Sequence, residues 1–158
     1  MKKINIVLFV FLVSTILVSC SAPQTSESVS RELSLRLYFC EDVDDDAGCV
    51  NSRNIFSRGD EFWLLLDIRN LVASDDYKID YIYEQEVFNP SGNRINSVSG
   101  VILEEYVAVT SLGYYNAPAK YDFSTSASTP LGEYSVHVTI TDVNSGKFVE
   151  DSIKFVIG

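Results

Sequence analysis

The stretch that decides the fold is "TPLGEYSVHVTITDVNSGKFVEDSIKFVIG", Thr129 to Gly158. Apolar side chains occupy alternate positions on both sides of the turn sequence "DVNSG". They are Tyr134, Val136, Val138 and Ile140 before the turn, and Val149, Ile153, Phe155 and Ile157 after it. Side chains with a period of two point to one face of an extended chain. The stretch therefore predicts a β-hairpin with one buried face.

The same alternation runs through the preceding hundred or so residues, from "ELSLRLYFC" (32–40) through "DEFWLLLDIRN" (60–70) and "YKIDYIYEQEVF" (77–88) to "KYDFS" (120–124). No segment of useful length carries a helical apolar stripe. Strands recur roughly every ten residues with turn residues between them, a spacing typical of β-sandwiches. The sequence predicts an all-β, two-layer antiparallel sandwich of seven or eight strands.

The closing hairpin resembles the last two strands of immunoglobulin-like and fibronectin-type-III-like modules. In those modules a P-x-G-x-Y pattern introduces the penultimate strand, and Pro130, Gly132 and Tyr134 stand in its places here. The resemblance implies an immunoglobulin-like sandwich. It implies no function, since such sandwiches serve many roles. One departure is that the two cysteines of the domain are too close in sequence to form the inter-sheet disulfide of antibody domains.

The first twenty residues, "MKKINIVLFVFLVSTILVSC", have the layout of an export signal: two lysines, an apolar run and a small residue. The end of this stretch resembles the lipobox of prokaryotic lipoproteins, with Leu17, Val18 and Ser19 preceding Cys20. That resemblance implies cleavage before Cys20 and attachment of lipid to its thiol. We expect a signal peptide over 1–19, a lipidated and flexible tether over 20–31, and one sandwich domain over 32–158.

The chain carries a formal net charge of −10, which becomes −12 once Lys2 and Lys3 leave with the signal (−10 − 2). So acidic a chain argues against binding nucleic acid or anionic lipid electrostatically. We expect the domain to sit on the extracytoplasmic side of a cell membrane, held by its lipid. Inner, outer and archaeal membranes all remain open.

Two cysteines remain after lipidation, Cys40 and Cys49, in a chain exported to an oxidising space. A structural disulfide is favoured over a redox or metal-binding pair, because neighbouring acids raise the pKa of a thiol and disfavour the reactive thiolate. Closing so short a loop contributes about 2.7 kcal/mol in the chain-entropy model.

Between these cysteines lies the acidic loop, residues 41–48, "EDVDDDAG". Asp42, Asp44 and Asp46 occupy alternate positions, as in loops that wrap calcium. An EF-hand register from Asp42 fails, since Ala47 stands where glycine is needed and Arg53 where glutamate is needed. Two interpretations remain, a calcium site and a solvated turn.

The sequence offers little that supports catalysis. His137, the single histidine, lies on the polar face of its strand, and no nucleophile elbow, zinc motif or phosphate loop is present. Tyr114 and Tyr115, in the loop-like "SLGYYNAPAK", are candidates for a contact patch that stacks on a sugar or anchors a protein.

The leading hypothesis is therefore a lipid-anchored, non-enzymatic interaction or accessory module, with a protein partner or cell-surface ligand and no cofactor. A second hypothesis is calcium-assisted binding of a carbohydrate or cell-surface ligand through the acidic loop and the tyrosine pair. A third is a protease-inhibitor-like sandwich that presents one loop to an exported protease.

Overall fold

The computed structural model describes residues 31–44, 48–105 and 113–158. Within these ranges all regular secondary structure is β-strand. The described residues contain no helix with the length and hydropathy needed to cross a bilayer. The predicted signal peptide, Cys20 and most of the tether lie outside the described residues. The expectations about them stay predictions.

Eleven strands lie in the described ranges. They are β1 (Ser34–Val43), β2 (Cys49–Ser52), β3 (Ile55–Phe56), β4 (Glu61–Arg69), β5 (Leu71–Val72), β6 (Ile79–Phe88), β7 (Arg94–Glu105), β8 (Tyr114–Tyr115), β9 (Ala119–Ser124), β10 (Gly132–Asp142) and β11 (Phe148–Ile157). Seven of them have six or more residues, in agreement with the predicted seven or eight. The other four are short pieces of two to four residues.

Two sheets form the sandwich. One has the order β2-β1-β4-β9 and the other β3-β11-β10-β6-β7, with β5 and β8 pairing separately. The pairs are antiparallel except for β3 and β11. Strands β1, β4 and β9 correspond to A, B and E of an immunoglobulin sandwich, and β11, β10, β6 and β7 to G, F, C and C′. The predicted immunoglobulin-like fold is confirmed.

The hydrophobic core lies between the two sheets and is rich in aromatic rings. The predicted inward faces of β10 and β11 are buried from Tyr134 to Ile140 and at Phe155 and Ile157. Phe39 on β1 meets Phe155 on β11 edge to face, with ring centres 5.0 Å apart. These contacts join the sheets through interactions stronger than apolar burial alone, by about 0.5–1.5 kcal/mol per pair.

The P-x-G-x-Y pattern has a physical explanation in this structure. The Tyr134 hydroxyl donates a hydrogen bond to the Pro130 carbonyl oxygen at 2.8 Å, which is the tyrosine corner of immunoglobulin-like folds. Gly132 has φ of 128°, and a β-carbon there would lie 2.9 Å from side-chain atoms of Pro90. Position 132 therefore requires glycine for both its conformation and its close packing.

A buried carboxylate ties one end of the sandwich together. Asp142, at the end of β10, is fully buried. Its Oδ2 accepts hydrogen bonds from the Val72 amide at 3.0 Å and the Ser145 hydroxyl at 2.6 Å. Its Oδ1 accepts one from the Asn144 amide at 3.0 Å. These bonds fix the β10–β11 turn against β5, seventy residues earlier in the chain.

Candidate functional site

The two cysteines of the domain form a disulfide. Cys40 on β1 and Cys49 on β2 are joined with their Cα atoms 5.5 Å apart, within the normal range for a disulfide. Cys40 is fully buried. The prediction of a disulfide is confirmed, and it closes the hairpin that carries the acidic loop.

Three carboxylates in the described part of the acidic loop form local hydrogen bonds or an ion pair. An Asp44 carboxylate oxygen accepts the Gly48 amide at 2.6 Å, and a β-carbon on Gly48 would lie 2.6 Å from an Asp44 oxygen. Glu41 forms an ion pair with Arg53 at 3.0 Å. Asp42 accepts the amide of the next residue at 2.8 Å. These carboxylates help to shape the hairpin turn.

The calcium interpretation of the acidic loop stays a prediction. Asp46 and its neighbours at 45 and 47 lie outside the described residues. Across the described ranges, no three histidine, cysteine or acidic side chains are grouped so that they could hold a metal ion. Asp42 and Asp44 are exposed on the hairpin, next to the segment that is not described.

His137 lies on the exposed face of β10 in a shallow polar surface. Its Nε2 is 3.4 Å from the Ser135 hydroxyl, at the long limit for a hydrogen bond. Glu86, directly opposite on β6, forms an ion pair with Arg94 at 2.5 Å. In a catalytic triad, the acid hydrogen-bonds the imidazole of the histidine base and orients it. Here Glu86, the acid opposite His137, bonds Arg94 instead.

Tyr114 and Tyr115 form β8, which pairs with β5. Both side chains are partly buried, and Tyr115 packs against the hydrophobic core. The sequence placed this pair in a loop, and the structure places it in a short strand. Tyr114 is the member that stays available for the predicted contact patch.

An open cleft between the two sheets is a feature that the sequence did not predict. It lies between β7, the last strand of one sheet, and β9, the last strand of the other, with a volume of about 520 Å³. Core aromatic side chains line it, namely Phe62, Tyr121, Phe123, Tyr134 and Phe155. Ile95 and Val98 at its rim are 56% and 40% exposed. Its size and mainly apolar lining are typical of ligand sites.

Three near-parallel rings lead into this cleft. Phe56 stacks on Phe62 with centres 3.8 Å apart, and Phe62 stacks on Phe123 at 5.4 Å, each pair within 11° of parallel. Phe123 belongs to the edge strand β9 and is only partly buried. The stack therefore ends at the cleft, where no further ring of the described residues continues it.

Gln85 is a buried polar side chain in the same cleft. It is 4% exposed and lines the cavity from β6. Its Oε1 accepts a hydrogen bond from the Tyr83 hydroxyl, and the described residues offer its Nε2 group no partner. Since every fully buried side-chain nitrogen and oxygen of the described residues has a partner, Nε2 retains some exposure to solvent.

Tyr83 and Tyr121 close the inner end of this region. Their rings stack with centres 4.4 Å apart and 4° from parallel. Burial raises the pKa of Tyr121 to about 12, and it raises the pKa of Tyr83 further. Both phenols are therefore neutral at physiological pH, and the Tyr83 hydroxyl acts as a hydrogen-bond donor to Gln85.

Two sequence signals mark the cleft. Gln85 is a polar residue at an inward position between Tyr83 and Val87, where the alternation of β6 calls for an apolar side chain. The alternation in "KYDFS" puts Tyr121 and Phe123 on one side of a strand, and both side chains line the cleft from β9. Neither signal could show that β9 has no outer neighbour among the described residues.

Comparison with known proteins identifies no family for this chain, and the similar solved structures are distant. No protein-family model matches the sequence, and no curated protein shows a significant match. Solved structures similar to the chain include the CARDB domain of a Pyrococcus furiosus protein crystallised with di-metal ions, at 7% identity over 80% of this chain and 88% of that chain, with a TM-score of 0.43. An immunoglobulin-like protein from Pseudomonas aeruginosa matches at 12% identity over 82% and 99%, with a TM-score of 0.35.

A family 123 glycoside hydrolase from Clostridium perfringens also matches, at 12% identity over 79% of this chain and 27% of that chain, with a TM-score of 0.43. At these identities and TM-scores, no ligand, activity or partner carries over to this chain. The assignment to the immunoglobulin-like class rests on the strand order and the tyrosine corner.

Proposed function

We propose that this protein is a lipid-anchored, non-enzymatic β-sandwich that acts as an interaction or accessory module on the extracytoplasmic side of a membrane. The observation that carries the proposal is the open aromatic cleft between β7 and β9. A concave, mainly apolar cleft of this volume with a few polar groups in its lining is the usual form of a binding site.

The anchoring part rests on the sequence Leu17-Val18-Ser19-Cys20 and on the polar segment that follows it. Each buried methylene of an acyl chain contributes about 0.8 kcal/mol, so two or three chains hold a domain of this size at a bilayer. The disulfide between Cys40 and Cys49 is consistent with export to an oxidising compartment.

The non-enzymatic part rests on the roles of the groups that could have carried catalysis. Glu86 bonds Arg94 instead of His137, and the buried Asp142 is occupied by three close hydrogen bonds that hold a turn. Neither group is poised to transfer a proton to a substrate in a pocket.

Incorporation of radiolabelled palmitate into the full chain tests the anchor. We expect label in the wild-type protein, loss of label in Cys20→Ala, and full label in the matched cysteine variant Cys49→Ala. Absence of label in the wild type, or label that survives Cys20→Ala, would remove lipid anchoring at Cys20 from the proposal.

Crosslinking in intact host cells tests the interaction role. The wild-type chain is expected to give a discrete adduct with another polypeptide in the membrane fraction. The adduct should persist in His137→Ala, because the proposal gives that side chain no catalytic task. A chain found only as free monomer under saturating crosslinker would contradict an interaction module.

A further inference from the structure

We infer that the cleft between β7 and β9 binds an extended segment of a partner polypeptide, which adds a strand to β9 and places an aromatic ring beside Phe123. This inference rests on the proposed function and names the surface and the class of partner. Immunoglobulin sandwiches of the constant type have a D strand beyond strand E. Here β9 occupies the place of E, and no strand of the described residues lies beyond it.

The hydrogen bonds of β9 show which backbone groups are available. The Thr125 amide donates to the Asp60 carbonyl, and the Ala117 amide donates to the Ile68 carbonyl, both at 3.0 Å. Bonded positions of an antiparallel pair alternate along each strand. The odd-numbered residues of β9 therefore bond β4, and the backbone groups of Lys120, Asp122 and Ser124 face the open edge.

The cleft supplies a side-chain pocket next to this open edge, since Asp122 and Ser124 line it together with Phe123. A residue paired opposite Phe123 would sit at a non-hydrogen-bonded position, where facing side chains are closest. A flat ring there would extend the Phe56–Phe62–Phe123 stack. Strand addition in general combines main-chain hydrogen bonds with pockets for alternate side chains, and the described cleft has both parts.

Gln85 indicates which aromatic residue of the partner fits best beside Phe123. Its Nε2 group has no partner among the described residues and can donate a hydrogen bond to an acceptor on the incoming side chain. A ligand that fills the cleft takes water away from this donor, and leaving it unpaired would cost about 1–3 kcal/mol, which an acceptor on the ligand avoids. Tyrosine provides a flat ring with a hydroxyl acceptor, and phenylalanine provides the ring alone.

Charge identifies the kind of partner. The single charged side chain among the described lining residues is Asp122. The whole chain has 22 acidic and 12 basic residues. The excess of acidic over basic residues would repel a second copy of this chain, whereas basic residues beside the ring would pair with Asp122. The partner segment is therefore apolar at alternate positions and basic between them.

The probe for this site is the peptide Val-Lys-Tyr-Lys-Val, amidated at its C terminus and labelled at its N terminus with rhodamine. With tyrosine opposite Phe123, its two lysines lie opposite Asp122 and Ser124, where their amides would bond β9. Fluorescence anisotropy is measured with the full chain in phosphatidylcholine nanodiscs, and empty discs serve as the blank. We expect a saturable rise in anisotropy.

Two N-methylated peptides provide a matched control that leaves the protein unchanged. Methylation of both lysine amides removes the bonds to β9 and should weaken binding at least tenfold. Methylation of the tyrosine amide, which points away from β9, should change binding by less than about twofold. Replacing tyrosine by phenylalanine should weaken binding about two- to tenfold through the lost acceptor for Gln85.

Two exposed charge reversals test the place of binding. Asp122→Lys on β9 should weaken binding about two- to fivefold, the range of a cross-strand charge pair. Glu150→Lys, with the same charge change on the exposed part of β11, should leave it unchanged. Strand addition at β9 is overturned by absence of saturable binding, by equal effects of the two methylations, or by equal effects of the two reversals. Such a result would leave palmitate labelling at Cys20 and the crosslinked adduct in cells unaffected.

Discussion

The buried carboxylate of Asp142 gives the sharpest stability prediction. Asp142→Asn keeps the size of the side chain and one acceptor oxygen, but it replaces the other oxygen with an amino group. If this group takes the Oδ2 position, the Ser145 hydroxyl can rotate and accept from it, whereas the Val72 amide at 3.0 Å loses its acceptor. If it takes the Oδ1 position, the backbone amides of Asn144 at 3.0 Å and Ser145 at 3.4 Å lose their acceptor.

Either orientation leaves at least one backbone donor unsatisfied and removes the charge from the remaining bonds. An unsatisfied buried donor costs about 1–3 kcal/mol, and charge-assisted bonds are stronger than neutral ones by about 1 kcal/mol. Asp142→Asn should therefore lower the free energy of unfolding by about 2–4 kcal/mol. Urea denaturation measures this change. An unaltered slope of the unfolding free energy against urea concentration indicates that the unfolded state is the same.

Asp75→Asn is the matched control, since Asp75 is exposed in the loop between β5 and β6. Its cost should stay within about 0.5 kcal/mol. The same experiment has a local readout, because hydrogen exchange at the Val72 amide should accelerate in Asp142→Asn. A loss below about 1 kcal/mol, or unchanged exchange at Val72, would refute the role given to this carboxylate.

Four further predictions concern the fold, the loop and the response to pH. Tyr134→Phe removes the bond to the Pro130 carbonyl and should cost about 0.5–1.5 kcal/mol in urea denaturation; no loss would contradict the tyrosine corner. Reducing the Cys40–Cys49 disulfide should cost about 2.7 kcal/mol, and equal stability with and without reductant would contradict that value. Because burial raises the pKa of Tyr121 to about 12, stability should fall as pH rises from about 10 to 12, where the unfolded chain loses a proton that the folded chain keeps; a fall equally steep in Tyr121→Phe would contradict this cause. Calorimetric titration with about millimolar calcium should give no heat if the acidic loop is a solvated turn, and a saturable heat would establish the ion site instead.

The sequence predicted those parts of the fold that depend on local pattern. Alternation and the turn "DVNSG" were enough for the β10–β11 hairpin, since both strands and their turn lie within thirty residues. The spacing of Pro130 and Tyr134 pointed to the immunoglobulin-like class because the tyrosine corner is formed by residues four apart. The disulfide could be predicted from the oxidising compartment and from the two cysteines left after lipidation, without any knowledge of the fold.

Features that depend on distant partners could not be predicted in this way. Aspartate in a turn is common for local reasons, and nothing near Asp142 indicates that the Val72 amide reaches it from seventy residues away. Two-residue strands such as β8 are too short to show a period, so Tyr114 and Tyr115 were assigned to a loop.

The open edge of β9 was beyond sequence reasoning for a similar reason. Whether a strand has an outer neighbour depends on the order of strands in the sheet, which alternation does not encode. Gln85 gave a local hint, as a polar residue on an inward face, but its meaning depends on the cleft that it lines.

The most direct test of the central claim, that the β7–β9 cleft is the recognition surface, is the location of a photo-crosslink. The tyrosine of the probe peptide is replaced by benzoylphenylalanine, the complex with the full chain is irradiated, and the modified residue is found by mass spectrometry. Binding in the cleft predicts adducts at Phe123 and Gln85, whose side chains line it. Adducts concentrated at Tyr114 or around His137 would contradict it.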